Sequence, residues 1–136
     1  MKKQFFLFCI TICVLIIACS KEEKSERFKL LTTPVWTSES FVATGTDTSG
    51  VGAIIKQLKG DAKFNEDGTG YFGSFTGQWR FNPDETEITI VAQSLPLPIV
   101  TEIILLTAQS LKLNAPVTIQ SHPQDLIDLL MTFKAK

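Results

Sequence analysis

Most of the chain is a series of short apolar and polar alternations separated by turn residues. Trp79 and Phe81 alternate with Gln78 and Arg80, as expected of a β-strand with one buried face and one face in water. Similar reasoning predicts seven or eight strands, at residues 35–44, 61–65, 69–75, 77–82, 86–92, 99–106, 110–115 and 129–134. A sheet this small avoids exposed edges most simply by closing, so we predict an all-β fold, a small antiparallel β-barrel.

Glycine and proline mark several of the turns between these strands. Asp67 and Gly68 form a pair that is typical of a tight hairpin, because glycine accepts a positive φ without steric cost. Pro83 presets φ at the first corner of a later turn. Pro96 and Pro98 indicate a loop, since neither can donate a hydrogen bond to a strand ladder.

Two segments are compatible with either a helix or a strand. Residues 51–59 carry three apolar side chains at helical spacing and are compatible with a short helix at one mouth of the barrel. Residues 122–130 are compatible with a helical turn that has Ser121 as its cap and Pro123 in its first turn. Over so few residues alternation and helical spacing cannot be separated, so both alternatives stay open.

Large apolar side chains on the predicted inner faces are numerous enough to fill a small barrel. An eight-stranded barrel has room for its own side chains or for one small ligand. We therefore expect a packed interior, with any ligand space confined to one mouth. The side chains expected inside are Trp36, Phe41, Phe64, Phe75, Trp79, Phe81, Ile88, Ile90, Ile103, Leu105, Leu111, Leu113 and Phe133.

The N-terminal part of the chain has a different pattern, with positive charge first and an apolar run after it. Lys2 and Lys3 precede residues 5–19, which are 15 residues without a charged group. A helix that spans a bilayer needs about 20 apolar residues, so this length favours a signal peptide over a permanent anchor.

The end of that apolar run resembles the bacterial lipobox. Ile16 and Ile17 are followed by the small residue Ala18 and then by Cys19. The resemblance implies that the Cys19 thiol receives a diacylglycerol, that a peptidase removes residues 1–18 as a signal peptide, and that the new amino group is acylated. Acyl groups on Cys19 would then bind the membrane permanently, because each buried CH₂ contributes about 0.8 kcal/mol. The alternatives are a soluble secreted protein and an uncleaved anchor.

Residues 19–27 are rich in charge and predict an acylated, flexible tether that cannot form a core. Within the tether, Ser20, Lys21, Glu22 and Glu23 resemble the export signal that sends some lipoproteins of Gram-negative bacteria to the outer leaflet of the outer membrane. The resemblance implies a lipid-anchored outer-membrane protein that is exposed at the cell surface. A plain solvated spacer is the alternative.

Cleavage after Ala18 changes the charge and the cysteine count of the mature chain. Loss of Lys2 and Lys3 reduces the 13 basic residues to 11 against 14 acidic residues, so the formal net charge becomes −3. Without a basic stripe, the chain is not expected to have a nucleic-acid partner. Of the three cysteines only Cys19 remains, and its sulfur is acylated, so we expect neither a disulfide nor thiol catalysis.

Residues 28–136 are predicted to form one domain, since 109 residues without a second linker or repeat match an ordinary single domain.

Five segments occur within this domain in the order PVW, FNEDGTGYF, GQWRFN, ETEITI and ILLTAQSLKL. This order is similar to that of the lipocalin-like domains carried by many bacterial outer-membrane lipoproteins, and it implies a lipocalin-like barrel. Pro34 and Val35 before Trp36 depart from the Gly-x-Trp that lipocalins often carry.

Patterns typical of catalysis are incomplete. Gly68, Gly70 and Gly73 satisfy G-x-G-x-x-G, but a dinucleotide site needs a helix after these glycines and the segment continues as β-rich sequence. His122 is the only histidine, so a catalytic triad or a zinc site lacks partners. We therefore expect a protein that is not an enzyme and that has no catalytic residues, metal or cofactor.

Two functions remain open for the domain. The first is the binding of a small apolar or amphipathic ligand near the membrane, for which we expect an apolar cavity of about 300 Å³ or more, open at one end. The second is a non-catalytic structural or interaction subunit with a filled core, which docks an envelope protein partner. The apolar loop of residues 95–99 motivates this second function, because it would form a sticky patch if exposed.

Overall fold

The computed structural model describes residues 22–45, 47–95, 97–119 and 122–136. Eight strands form one closed barrel, in which each strand pairs antiparallel with its neighbours in sequence and the last strand returns to the first. The strands are β1 (Trp36–Thr44), β2 (Asp61–Phe64), β3 (Thr69–Phe72), β4 (Phe75–Phe81), β5 (Glu87–Ala92), β6 (Ile99–Leu106), β7 (Ser110–Ile119) and β8 (His122–Ala135). Two helices, α1 (Glu26–Thr32) and α2 (Val51–Leu58), occur in the described part of the chain. The prediction of a small antiparallel β-barrel is confirmed.

The up-and-down order of the strands gives the barrel two distinct ends. We call one the α1 end, which carries α1 and the turns at residues 65–68, 82–86 and 107–109. We call the other the α2 end, which carries α2, the turn at residues 73–74 and the β5–β6 connection. A hydrogen bond within the α2 end agrees with this division. Ser74 N, in the turn at residues 73–74, donates to the carbonyl oxygen of Gln57 in α2 over 2.8 Å.

Both ambiguous segments are now resolved, one as a helix and one as a strand. Residues 51–58 form α2, the short helix expected at one mouth. Residues 122–130 belong to β8, so the alternative of a helical turn there is wrong; its proposed cap, Ser121, lies outside the described residues. The strand wins because β8 pairs with both β7 and β1, and this pairing places Ile127 and Leu129 in the core.

Two predicted strand details are corrected. The break between the third and fourth strands falls at residues 73–74, so Phe75 begins β4 and Gly77 lies within that strand. Leu105 was expected inside the barrel but is 39% exposed. An irregularity in the β6–β7 pairing between Ile103 and Leu105 shifts the alternation, and Leu106 packs against the core instead.

The barrel interior is packed largely as expected. Of the predicted inner side chains, nine are buried, namely Trp36, Phe64, Phe75, Trp79, Ile88, Ile90, Leu111, Leu113 and Phe133. Phe41, Phe81 and Ile103 are partly buried and pack against this core. Leu129 and Met131 complete it from β8.

Helix α1 was not predicted, and it covers the α1 end of the barrel. Its N-cap is Ser25, whose Oγ accepts a hydrogen bond from Phe28 N over 3.0 Å. The helix begins at Glu26, two residues before the domain start predicted at residue 28. Leu31 on its inner side has no exposed surface. Neither helix has the length and apolar content to cross a bilayer among the described residues.

Candidate functional site

An apolar cavity of about 20 Å³ lies inside the barrel beneath α2. Leu58 of α2 lines it together with Leu95 and Ile99 from the β5–β6 connection, and Phe64 lines it from deeper in the barrel. A cavity needs about 10–15 Å³ to hold one water molecule. The space therefore accepts one water-sized group, and its volume is far below the roughly 300 Å³ expected of a ligand cavity.

The wall of this cavity is suited to apolar groups alone. Thr101 contributes the polar side chain among its lining residues, and the Thr101 hydroxyl donates a hydrogen bond to the Ile88 carbonyl oxygen over 3.3 Å. No ionisable side chain is among the described residues that line it. A water molecule would find too few hydrogen-bond partners there, so the cavity favours an apolar occupant.

Aromatic side chains fill the part of the barrel nearer to α1. The ring of Trp79 lies 5.4 Å from Phe64, 5.3 Å from Phe81 and 5.7 Å from Phe28 of α1, measured between ring centroids. Phe64 in turn lies 5.0 Å from Phe72. These are favourable distances for aromatic pairs, so the rings pack this half of the interior.

Helix α2 is held more firmly at its C-terminal end than at its N-terminal end. Ser74 donates from both its N and its Oγ to the Gln57 carbonyl oxygen, over 2.8 and 2.9 Å. After the helix, Gly60 N donates to Ser38 Oγ over 2.9 Å. The N-cap is Gly50, at φ 110°, which provides no side-chain hydrogen bond. The structure thus gives the helix a hydrogen-bonded end above β3 and β4, whereas its beginning lacks a side-chain cap and is held by the buried side chain of Val51.

The carboxylates with shifted pKa values lie on the surface, away from this cavity. A hydrogen bond from Lys136 and a second from Thr37 lower the pKa of Asp61. Hydrogen bonds from the Thr69 hydroxyl and backbone lower the pKa of Asp67 within its turn. Each shift has a structural partner, so neither marks a catalytic acid or base.

The predicted lipidation site lies outside the described residues. Cys19, Ser20 and Lys21 are not described, and Glu22 and Glu23 are exposed and outside any helix or strand. The lipobox and the export signal therefore stay predictions.

The remaining sequence motifs have structural positions. The glycines of the G-x-G-x-x-G match span β3 and the turns on either side of it, with Gly68 at φ 84° and Gly73 at φ 60°. His122 begins β8, where its backbone pairs with Ile119. No group of three metal-binding side chains occurs among the residues with described positions.

Part of the cavity wall was predicted: Phe64, Phe75, Ile90, Leu113 and Phe133, expected inside the barrel, all line the cavity. Small inward-facing residues are the signal that could have located the cavity. Ala62 and Ala115 line it, and larger side chains at these positions would fill it. Leu95 and Ile99 belong to the apolar segment 95–99, which was expected to be sticky if exposed; both are partly buried and line the cavity.

Comparison with known proteins identifies the fold. No family model matches the chain, and no curated protein matches it. Among solved structures, bovine odorant binding protein in complex with a selenium-containing odorant is similar, with a TM-score of 0.52, 16% identity, and coverage of 87% of this chain and 78% of that one. The complexes of the same bovine protein with its natural ligand and with undecanal give TM-scores of 0.52 and 0.51 at 16% and 14% identity, each covering 85% of this chain and 77% of the other. At these identities the likeness establishes the fold, which is a lipocalin-like β-barrel.

Proposed function

We propose that the mature chain is a lipid-anchored envelope protein whose barrel takes up one small apolar molecule beneath α2. The observation that carries this proposal is the cavity at one end of a closed lipocalin-like barrel, lined by apolar side chains apart from Thr101. Similar barrels are known as complexes with an odorant and with undecanal. The protein acts as a carrier, without catalysis.

Uptake requires the cavity to grow, because about 20 Å³ accommodates a single water-sized group. Movement of α2 about its fixed C-terminal end would withdraw Val51, the buried residue at the beginning of that helix, while Leu58 stays near the pivot. Met131, which also lines the cavity, has a flexible unbranched side chain that adapts to a ligand. Closed and open states of α2 thus form the binding equilibrium, and the ligand stabilises the open one.

Displacement of a bound fluorophore tests the uptake. Residues 22–136, produced without the leader, are titrated with an apolar naphthylamine fluorophore, and undecanal is then added. Saturable binding at one site, reversed by undecanal, is the expected result. Thermal unfolding monitored by circular dichroism verifies that the fragment is folded.

A matched pair of variants locates the site. Ala115→Phe places a ring in the cavity and is expected to abolish fluorophore binding, since Ala115 is 1% exposed and lines the space. Ala108→Phe adds the same ring to the exposed turn between β6 and β7 and should leave binding unchanged. Absence of saturable binding to the folded wild-type protein would contradict the proposal.

The anchoring is tested on the full-length protein in a Gram-negative host. Labelling with radioactive palmitate and mass analysis of the N-terminal peptide are expected to find acyl groups on Cys19. The variant Cys19→Ala should remain uncleaved and unlabelled. Normal cleavage and membrane retention of this variant would exclude the lipobox.

Outer-membrane localisation and surface exposure are part of the same proposal. The segment Ser20, Lys21, Glu22 and Glu23 supports it through the resemblance to an export signal. Replacing the last three of these residues with alanine should reduce digestion by protease added to intact cells. Unchanged digestion would leave the segment as a spacer.

A second function, as an interaction subunit of an envelope complex, is favoured by the small cavity volume and by one exposed side chain. Leu97 in the β5–β6 connection is 71% exposed. The apolar patch is smaller than the sequence indicated, because Leu95 and Ile99 are partly buried and Pro96 lies outside the described residues. A photo-crosslinking residue at position 97 should capture a specific envelope protein in intact cells if this function holds; crosslinks to no protein would remove its support.

A further inference from the structure

The chain enters the barrel at a fixed point on the α1 end. Lys24 forms an ion pair with Glu66 in the β2–β3 turn. Ser25 Oγ donates to Glu85 Oε1 in the β4–β5 turn over 2.6 Å. Arg27 Nε donates to the carbonyl oxygen of the same Glu85 over 3.0 Å. Two turns of the α1 end thus hold the chain from residue 24 onward.

The geometry of this attachment is specific. Glu85 has φ 55°, and it is the non-glycine residue with a positive φ among those described. In this conformation both its side chain and its carbonyl oxygen accept hydrogen bonds from the start of α1. The Lys24 ammonium, just before the N-cap, also lies 5.0 Å from the centre of the Phe28 ring in α1, a cation–π contact.

The tether beyond this point is shorter than the barrel. Five residue steps separate Cys19 from Lys24, and a fully extended chain covers at most about 18 Å over that length. The eight residues of β6, at about 3.3 Å each and with a tilt of about 40°, give the barrel a height of roughly 20 Å. A tether that starts at the α1 end cannot reach past the α2 end.

We infer that the α1 end of the barrel faces the membrane and that the α2 end, which covers the cavity, faces away from it. This inference rests on the proposed acylation of Cys19. Because the cavity lies beneath α2, its occupant is exchanged with the aqueous phase or with a partner that approaches from that side. Direct entry of a lipid from the anchoring bilayer is excluded by this orientation.

Single-cysteine labelling tests the orientation in liposomes. Cys19 is the sole cysteine of the mature chain and is acylated, so an introduced thiol is the unique labelling site. Ala108→Cys places a fluorophore in the β6–β7 turn of the α1 end, and Leu97→Cys places it near the α2 end; both positions are exposed. The acylated proteins are reconstituted into liposomes whose headgroups carry a quencher. The fluorophore at position 108 is expected to be quenched, and the fluorophore at position 97 is expected not to be.

A longer tether is the matched control. A flexible insertion of about 15 glycine and serine residues between Glu23 and Lys24 would extend the reach well beyond the barrel height. The difference between positions 97 and 108 should then disappear. If the difference persists, attraction to the membrane rather than tether length sets the orientation, and the argument from tether length is overturned. Equal quenching with the native tether, as from a barrel lying on its side, would overturn the orientation itself.

Failure of the anchoring is distinguishable from failure of the orientation. Flotation of the liposomes and mass analysis of Cys19 are carried out before fluorescence is measured. Protein that does not float, or that carries no acyl group, contradicts the proposed function. Protein that floats and is acylated but is quenched at position 97 contradicts the orientation alone.

Discussion

The indole Nε1 of Trp36 donates a hydrogen bond to the Leu31 carbonyl oxygen over 3.0 Å, and neither residue has any exposed surface. Leu31 lies in α1, and Trp36 is the first residue of β1. The bond therefore joins the helix to the strand that closes the barrel with β8. It also satisfies a carbonyl group near the end of the helix, where no intrahelical donor is available.

Replacing Trp36 with phenylalanine should destabilise the protein by about 1–3 kcal/mol or more, because the buried Leu31 carbonyl loses its donor and the smaller ring leaves a void. Chemical denaturation measures the free energy of unfolding. Tyr71→Phe is the control: Tyr71 is 37% exposed, and its replacement should change stability by less than about 0.5 kcal/mol. Equal effects of the two replacements would show that the Trp36 hydrogen bond is unimportant.

Lys63 forms a further contact between the end of α1 and the barrel. The Lys63 ammonium donates to the carbonyl oxygens of Thr32, Thr33 and Pro34, over 2.5, 3.0 and 3.2 Å. We expect Lys63→Met to lower the free energy of unfolding by about 1–2 kcal/mol, because a cation at a helix C-terminus satisfies its carbonyl groups and its dipole. Lys134→Met, on the exposed face of β8, should have little effect in the same denaturation experiment. An equally small effect of both would contradict the role of Lys63.

Two glycines near α2 should respond in opposite directions to alanine. Gly73 has φ 60°, and a Cβ there would lie 2.2 Å from the Gln57 carbonyl oxygen. Gly73→Ala is therefore expected to cost at least about 2 kcal/mol and to displace the fixed end of α2. A Cβ on Gly52 meets nothing within 4 Å, so Gly52→Ala should stabilise the helix by about 0.5–1 kcal/mol. Thermal denaturation of the two variants measures the difference, and a stable Gly73→Ala protein would contradict the close contact.

The exposed link between Asp61 and the C-terminal Lys136 should be sensitive to pH. Lys136 Nζ donates to Asp61 over 2.9 Å, and Thr37 donates to it over 2.8 Å. These bonds lower the pKa of Asp61, so their contribution is present above the ordinary value of about 3.9 and is lost as the pH falls through the lower value of the folded protein. The pKa of Lys136 is raised by the same hydrogen bond, so at high pH the link is lost as the pH rises through that raised value.

Comparison of melting temperatures tests this dependence. The wild-type protein should melt above Asp61→Asn at neutral pH, and the difference should vanish in acid as the pH falls below about 3.9. Glu102→Gln, an exposed change in β6, serves as the control and should show no such dependence. A difference between the wild-type protein and Asp61→Asn that is unaffected by acid would contradict the assigned role of the carboxylate.

Several parts of the fold could be predicted because their signals are local. Trp79 alternates with polar neighbours along its own strand, and the pair Asp67 and Gly68 sets its own turn through a positive φ. Ser25, three residues before Phe28, could also have indicated the start of α1. These features depend on residues adjacent in sequence.

Local patterns were enough to predict the number and type of most strands and the apolar content of the core, and they predict the lipobox at Cys19. The tertiary structure decided that residues 122–130 form a strand, because pairing with both β7 and β1 outweighs the local preference. It decided that Leu105 faces outward at an irregularity in β6. It also decided the cavity volume of about 20 Å³, since a void depends on how side chains from distant strands fit together. No local pattern encodes such a fit, and only the closed barrel brings those side chains into contact.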